Sequence, residues 1–445
     1  MIRAVDDPSR PITYLSTRGA SPAAGISAAI LAGLAPDGGL YVPRALPQVD
    51  PAAFDPEGTL ADSAATLLAP FFAGNPLATA LPAICAEALD FPLPTSPLRC
   101  DDAEVLELFH GPTAAFKDVG ARFLAACMRR LRRPDAPPLT ILVATSGDTG
   151  AAVGAAFHRQ PGVDVVIVYP DGRVSPRQAH QLGSFGDNVH ALRVAGSFDD
   201  CQRMVKAALT DRSLQVARPL SSANSISLGR LLPQMTYYAH VALRRWRAHH
   251  ARPGFVVPTG NLGNALAAVW ARECGLPIGP VRLACNANGT LPEFFDGGAY
   301  APRAAVHTLA NAMDVGAPSN FERLRWTFGG DDARLRGAFI ARSVDDAAIR
   351  HTIAQHARAH GEIFCPHTAT AVHLLDRLRL AGDSGPWFVV ATAHPAKFHE
   401  VVEPLAGRAV PLPSQLAAML ARPSRADPIE ASDAALRNWL RDRVR

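Results

Sequence analysis

The chain has 445 residues, of which 48% are hydrophobic and 19% charged, with a formal net charge of +4. That length suits two or three domains of about 100–200 residues each, and the composition excludes global disorder. The small positive excess forms no basic face: its densest run, "RRLRR" at 129–133, reads as a solvated helix end, so no nucleic-acid partner is expected. The opening "MIRAVDDPSRPITY" lacks the apolar core of a signal peptide. No apolar run approaches the roughly 18 residues that span a bilayer, so no membrane partner is expected. Cys85, Cys100, Cys127, Cys201, Cys274, Cys285 and Cys365 are scattered without a C-x-x-C pair. That pattern points to reduced thiols, no metal and a cytoplasmic location.

Along the chain, residues 1–95 hold the turn-rich "GLAPDGGLYVP" (33–43) and then short helices between prolines, as in "DSAATLLAPFFAG" (62–74). The proline-rich "FPLPTSPL" (91–98) reads as a linker or an extended crossing into the next unit. "EVLELF" (104–109) is a strand candidate, and Val119, Phe123, Leu124, Cys127, Met128 and Leu131 recur at helical spacing. "LTILVAT" (139–145) is a continuous apolar run, followed by a turn and an alanine-rich helix in "SGDTGAAVGAAF", as a buried parallel strand and its return helix would be. "VDVVIVYP" (163–170), "VHALRVAG" (189–196), "GFVVPTG" (254–260), "VRLACNAN" (281–288) and "WFVVATAHPAKF" (387–398) repeat the strand pattern. This alternation marks α/β units with largely parallel sheets. The expected units are 1–95, 96–230 and 231–435, and the last residues read as a short helix on a polar tail.

Of the 44 lysines and arginines, lysine stands only at Lys117, Lys206 and Lys397, and the other 41 are arginine. A chain so biased keeps lysine where a guanidinium fails, above all where a neutral amine must join an aldehyde. Chance survival of three lysines is the alternative. The turn "PTGNLGN" (258–264) follows a strand and opens a helix, so its amides suit a phosphate. An ordinary strand-to-helix turn is the alternative there. In "TSGDTG" (145–150), Ser146 and Thr149 at a helix start suit a carboxylate. Plain N-capping by Ser146 or Asp148 explains the same residues. An amine, a phosphate cup and a carboxylate turn together are the parts list for pyridoxal phosphate holding an amino acid.

At this point "HGPTAAFKD", "ATSGDTGAA", "SSANSISLGRLLPQ", "PTGNLGN", "NAMDVGAPSNFERL" and "TAHPAKF" together resemble the threonine synthase family. The opening "YLSTRG…GLAPDGGLYVP" (14–43) is similar to its longer-chain group, which carries an extra N-terminal domain. The resemblance runs in order from about residue 14 to 400. It implies an α/β, fold-type II pyridoxal phosphate enzyme, with two α/β domains around the cofactor and a mainly helical N-terminal domain. By the same resemblance Lys117 forms the Schiff base, and Gly260, Asn261, Leu262, Gly263 and Asn264 hold the cofactor phosphate. Asp148 lies beside the ring hydroxyl and Thr392 meets the ring nitrogen, where a neutral hydroxyl leaves the electron sink weaker. Ser146 and Thr149 bind the substrate carboxylate; Asn224, Ser225 and Arg230 bind the substrate phosphate.

The implied reaction turns O-phospho-L-homoserine and water into L-threonine and phosphate by β,γ-elimination and replacement, in a monomer or homodimer. A phospho-lyase of the same fold, releasing 2-oxobutanoate and ammonia, is the nearest rival, and a phosphate-binding protein without covalent chemistry is the rival from another class. Lys397 could bind an anion, though a lysine late in a loop is more often a solvated charge or a structural contact, and Lys206 reads as a helix-surface residue. His110, His367 and His394 suit hydrogen-bonded packing as well as catalysis. No role for "NAMDVGAPSNFER" (311–323) follows from its chemistry.

Overall fold

The computed structural model describes residues 11–99, 102–133 and 135–443. Two sheets carry the architecture. In the first, five strands lie in the order Asp427–Glu430, Val189–Ala195, Val163–Pro170, Leu139–Ala144 and Leu220–Ser222, all parallel. In the second, the order is Ile340–Ser343, Val281–Cys285, Gly254–Pro258, Trp387–Ala391, Ala103–Glu107 and Thr95–Leu98. Its pairs are parallel except the last, where the edge strand Thr95–Leu98 runs antiparallel to its neighbour.

Leu139–Ala144 is buried at every position, as a strand covered by helices on both faces must be. Side chains alternate across a strand. Accordingly Ile141 and Val143 join the core shared with Phe123 and Val153, while Leu142 and Ala144 pack with Met204 and Val205 of the opposite layer. The helix Asp433–Asp442 buries Leu436 and Leu440 in that second cluster, which packs it onto the first sheet.

The sheets do not follow a linear division of the chain. Ala103–Glu107 pairs with Trp387–Ala391, and Asp427–Glu430 crosses back to pair with Val189–Ala195. Residues 11–95 form the helices Ile26–Ala32, Leu60–Leu68 and Leu81–Ala88, plus an antiparallel pair, Tyr14–Ser16 with Tyr41–Pro43. A reciprocal Thr59–Asp62 capping box starts the second helix, a device worth about 1 kcal/mol. This N-terminal unit shares one continuous core with the first sheet's helices; Phe72 meets Phe123 edge-on with ring centroids 6.1 Å apart.

Cys100 lies outside the described residues, and the other six cysteines are buried and free. Among the described residues no helix is long and apolar enough to cross a membrane, and no group of His, Cys, Asp and Glu is placed to hold a metal.

Candidate active site

Two neighbouring parallel strands, Ala103–Glu107 and Trp387–Ala391, deliver the first pair of site residues beyond their carboxyl ends, where open α/β sheets bind ligands. The loops that follow stay joined. Leu108 N–H donates to the Ala391 carbonyl at 2.9 Å, Phe116 N–H to the Thr392 carbonyl at 2.8 Å, and His394 N–H to the Ala114 carbonyl at 3.1 Å. Lys117 then opens the helix Lys117–Leu131, beside Thr392. Both line a cavity of about 830 Å³.

The same cavity is lined by every other residue that the sequence nominated: Ser146, Asp148 and Thr149; Asn224, Ser225 and Arg230; and Gly260 through Asn264. It lies between the two sheets, and the N-terminal unit closes one side with Arg18 and the turn Gly33–Pro36. Lys206 reaches its rim as an exposed side chain of the helix Phe198–Thr210.

Burial depresses the Lys117 ammonium to about 8; Asp148 opposes the shift, while Arg230 and Lys397 add to it. An amine in that range is partly neutral near pH 7, as nucleophilic attack requires. Burial alone would raise Asp148, but Lys397, Lys117 and His367 outweigh it and hold this carboxyl far below its usual range. Its Oδ1 accepts from Gln178 Nε2 at 2.9 Å and from Lys397 Nζ at 2.8 Å. Lys397 is therefore no solvated charge: it is fully buried and also donates to the Thr113 carbonyl at 2.8 Å. It stands against the cavity-lining Asp148.

In the turn before the helix Asp148–Phe157, neither Ser146 nor Asp148 caps the helix. The N-cap residue is Gly147, with no side-chain cap. Thr145 Oγ1 takes the duty instead, accepting from Gly147 N–H at 3.0 Å and Gly150 N–H at 2.9 Å. Ser146 and Thr149 thus face the cavity without a capping task. Gly147 has φ +128°, and a Cβ there would lie 2.6 Å from the Gln178 carboxamide, so only glycine fits. Gln178 in turn stands at the third position of its own helix, capped by Ser175 in a reciprocal box. Its Oε1 accepts from Ser175 N–H and Asn311 Nδ2, both at 3.0 Å.

Across the cavity, the helix Gly263–Glu273 follows Leu262, held in the left-handed region at φ +63°. The first amides of a helix have no intrahelical partner, so the loop offers donors to an anion. A Cβ at Gly260 would sit 2.7 Å from Met313 Cα, which fixes how closely the segment 311–323 covers the loop. That segment, without a role in the sequence reading, is a wall and brace. Ala312 N–H donates to His367 Nε2 at 3.1 Å, Ser319 N–H to Asn261 Oδ1 at 2.5 Å, and Asn320 Nδ2 to the Asn261 carbonyl at 3.0 Å. Asn261 Nδ2 meets Ser225 Oγ at 2.6 Å, so the Asn261 side chain ties the glycine turn 260–264 to the stretch 224–230. His367, accepting a backbone hydrogen bond and pushed down to about 4 by burial, is a neutral packing residue at the cavity edge.

The donor set fits a phosphorylated cofactor. Asn264 Oδ1 is held by the hydroxyls of Tyr237 and, at 2.8 Å, Tyr238. Its Nδ2 is left buried without a partner among the described residues. Arg230 is buried, gives Nη1 to the Ala223 carbonyl at 2.8 Å, and likewise keeps a buried, unpartnered Nε. Unpaired buried donors are costly in a native protein, and acceptors such as phosphate oxygens would satisfy them.

Comparison with known proteins agrees with this chemistry. Residues 105–395 match the family model of pyridoxal-phosphate dependent enzymes, residues 13–89 that of the threonine synthase N terminus, and residues 368–439 that of the threonine synthase C-terminal region. A threonine synthase from Serratia marcescens is 38% identical over 414 residues, 93% of this chain and 95% of that protein. The crystal structure of threonine synthase from Escherichia coli superposes with a TM-score of 0.89 at 35% identity, covering 97% of this chain and 99% of the other. A pyridoxal phosphate-bound threonine synthase from Brucella melitensis superposes with a TM-score of 0.88 at 35% identity, covering 98% and 100%.

Proposed function

We propose, from the premise that this chain belongs to the threonine synthase family, the part each residue takes in the family's reaction. The fold is the fold-type II pyridoxal phosphate architecture with an N-terminal domain, and the activity is that of a carbon–oxygen lyase. O-phospho-L-homoserine and water give L-threonine and phosphate, the last step of threonine biosynthesis. The observation that carries the residue assignment is the convergence of all the nominated side chains on one cavity beside an amine depressed to about 8.

Pyridoxal phosphate, when bound, supplies the electron sink that lets protons leave the substrate's α and β carbons. Lys117 would hold the cofactor aldehyde, and its amine would carry protons at the substrate's Cα, since a depressed amine accepts and returns them near neutral pH. The loop Gly260–Asn264 holds the cofactor phosphate through its amides and the free Asn264 donor. Asp148 lies beside the ring hydroxyl, and Thr392 meets the ring nitrogen with a neutral hydroxyl. Ser146 and Thr149 orient the substrate carboxylate at a helix N-terminus, whose dipole favours an anion. Asn224, Ser225 and Arg230 hold the substrate phosphate while it leaves from Cγ.

We propose further that the chain divides in sequence as 1–95, 96–230 and 231–435, with strands exchanged between the last two units. It works in the cytoplasm as a monomer or homodimer, without nucleic acid. Borohydride reduction of the cofactor-loaded protein, followed by peptide mapping, tests the central assignment. The pyridoxyl group is expected on Lys117; finding it on Lys206 or Lys397 would overturn the site.

A further inference from the structure

Asp148 and the half-buried Lys117 line the cavity, and Lys397 is buried beside Asp148. Asp148 and Lys397 are in contact, Oδ1 to Nζ at 2.8 Å, with side-chain exposures of 3% and 0%. Lys117, by contrast, makes no ion pair among the described residues; its Nζ lies 5.7 Å from the centroid of the Phe116 ring. Lys397 is also fixed from behind by the Thr113 carbonyl at 2.8 Å. Gln178 Nε2 occupies the same carboxylate oxygen at 2.9 Å, and Gln178 is itself held by Ser175 and Asn311. The carboxylate is thus anchored toward Lys397 by parts drawn from both sheets.

A buried carboxylate takes the nearest cation as its partner, because leaving it unpaired in the interior is strongly unfavourable. Were Lys397 absent, the lysine left acting on Asp148 would be Lys117. A lysine locked to a carboxylate stays protonated and cannot attack an aldehyde.

We propose that Lys397 is a positioning residue for the reaction: by engaging Asp148 it keeps that carboxylate from capturing Lys117, and so leaves Lys117 a free amine. This rests on Lys117 being the cofactor lysine. The charged and titratable groups facing Lys117 are Asp148, Arg230 and Lys397, with His367 beside Asp148 and Asp118 beside Arg230. Of these, Asp148 is the group that raises Lys117, and Lys397 and Arg230 lower it. Removing Lys397 therefore acts in one direction, through lost repulsion and through the freed carboxylate.

The chain's shortage of lysine makes the test clean. Reductive methylation of the cofactor-free protein across pH 6 to 11, read peptide by peptide by mass spectrometry, gives a labelling midpoint for Lys117, with exposed Lys206 as internal reference. In wild type the Lys117 midpoint is expected near 8. In Lys397→Met it should rise by at least about one unit, a tenfold loss of free amine at fixed pH. Lys397→Met/Asp148→Asn should bring it back down. An unchanged midpoint in Lys397→Met would overturn the proposal. Should that variant fail to fold, Lys397→Gln drops the charge while retaining a donor, and the same two outcomes decide. Wild-type borohydride tagging at Lys117 judges the underlying assignment separately, so the two failures are distinguishable.

Discussion

Gly147→Ala tests how tightly the turn geometry and the buried ion pair are joined. Residue 147 has φ +128°, and the added Cβ would sit 2.6 Å from Cδ and Nε2 of Gln178. Holding an L-residue in that backbone region costs about 1–3 kcal/mol. The clash also drives the Gln178 carboxamide from Asp148 Oδ1, and a hydrogen bond to a charged group contributes about 1.5–3 kcal/mol. The two together give a destabilisation of about 2.5–6 kcal/mol. Activity should fall beyond what stability explains, because Gln178 also ties Asp148 to Asn311. Urea denaturation of the cofactor-free protein, paired with kcat measured well below the unfolding transition, reads both. A loss under about 1 kcal/mol with unchanged kcat would refute the reasoning that Gln178 packs against a position only glycine fills.

Arg230→Ala should raise KM for the phosphorylated substrate by about 10–100-fold, the worth of a charge-assisted contact; initial-rate kinetics showing a normal KM would remove Arg230 from the phosphate site. Lys117→Met should stabilise the cofactor-free protein at neutral pH, since a lysine depressed from 10.5 to about 8 penalises the folded state while protonated. The unfolded chain binds the extra proton between those values, so wild-type stability recovers as pH rises from about 8 to 10.5. Chemical denaturation across that window should show the advantage of the variant shrinking; a constant difference would contradict the depressed amine. Thr392→Asp should strengthen long-wavelength absorption of the substrate-loaded enzyme, because a carboxylate at the ring nitrogen keeps it protonated and deepens the sink; an unchanged spectrum would argue against Thr392 at that position.

The residues that converge on the cavity were legible because each belongs to a short local pattern: a lysine at a helix start, glycines after a strand, hydroxyls before a helix. Strand identity was also local, as in the apolar "LTILVAT". Pairing was not. Ala103–Glu107 reads as a strand from its own residues, but its partner Trp387–Ala391 is chosen by tertiary packing, and the same holds for Asp427–Glu430 beside Val189–Ala195. The partner of Lys397 was out of reach for the same reason. Nothing near "HPAKF" announces a buried ion pair with Asp148. The cap by Thr145 was within reach, since a threonine two residues before Gly147 can accept its amide. Asn261 carries a role that only three-dimensional neighbours reveal, because Ser225 and Ser319 come from distant stretches of the chain.

The most direct test of the whole account is product analysis with purified, pyridoxal phosphate-loaded protein supplied with O-phospho-L-homoserine. Threonine and phosphate should appear in equal amounts, with neither formed by Lys117→Ala. Phosphate accompanied by 2-oxobutanoate and ammonia in place of threonine would contradict the assignment of water addition to this site.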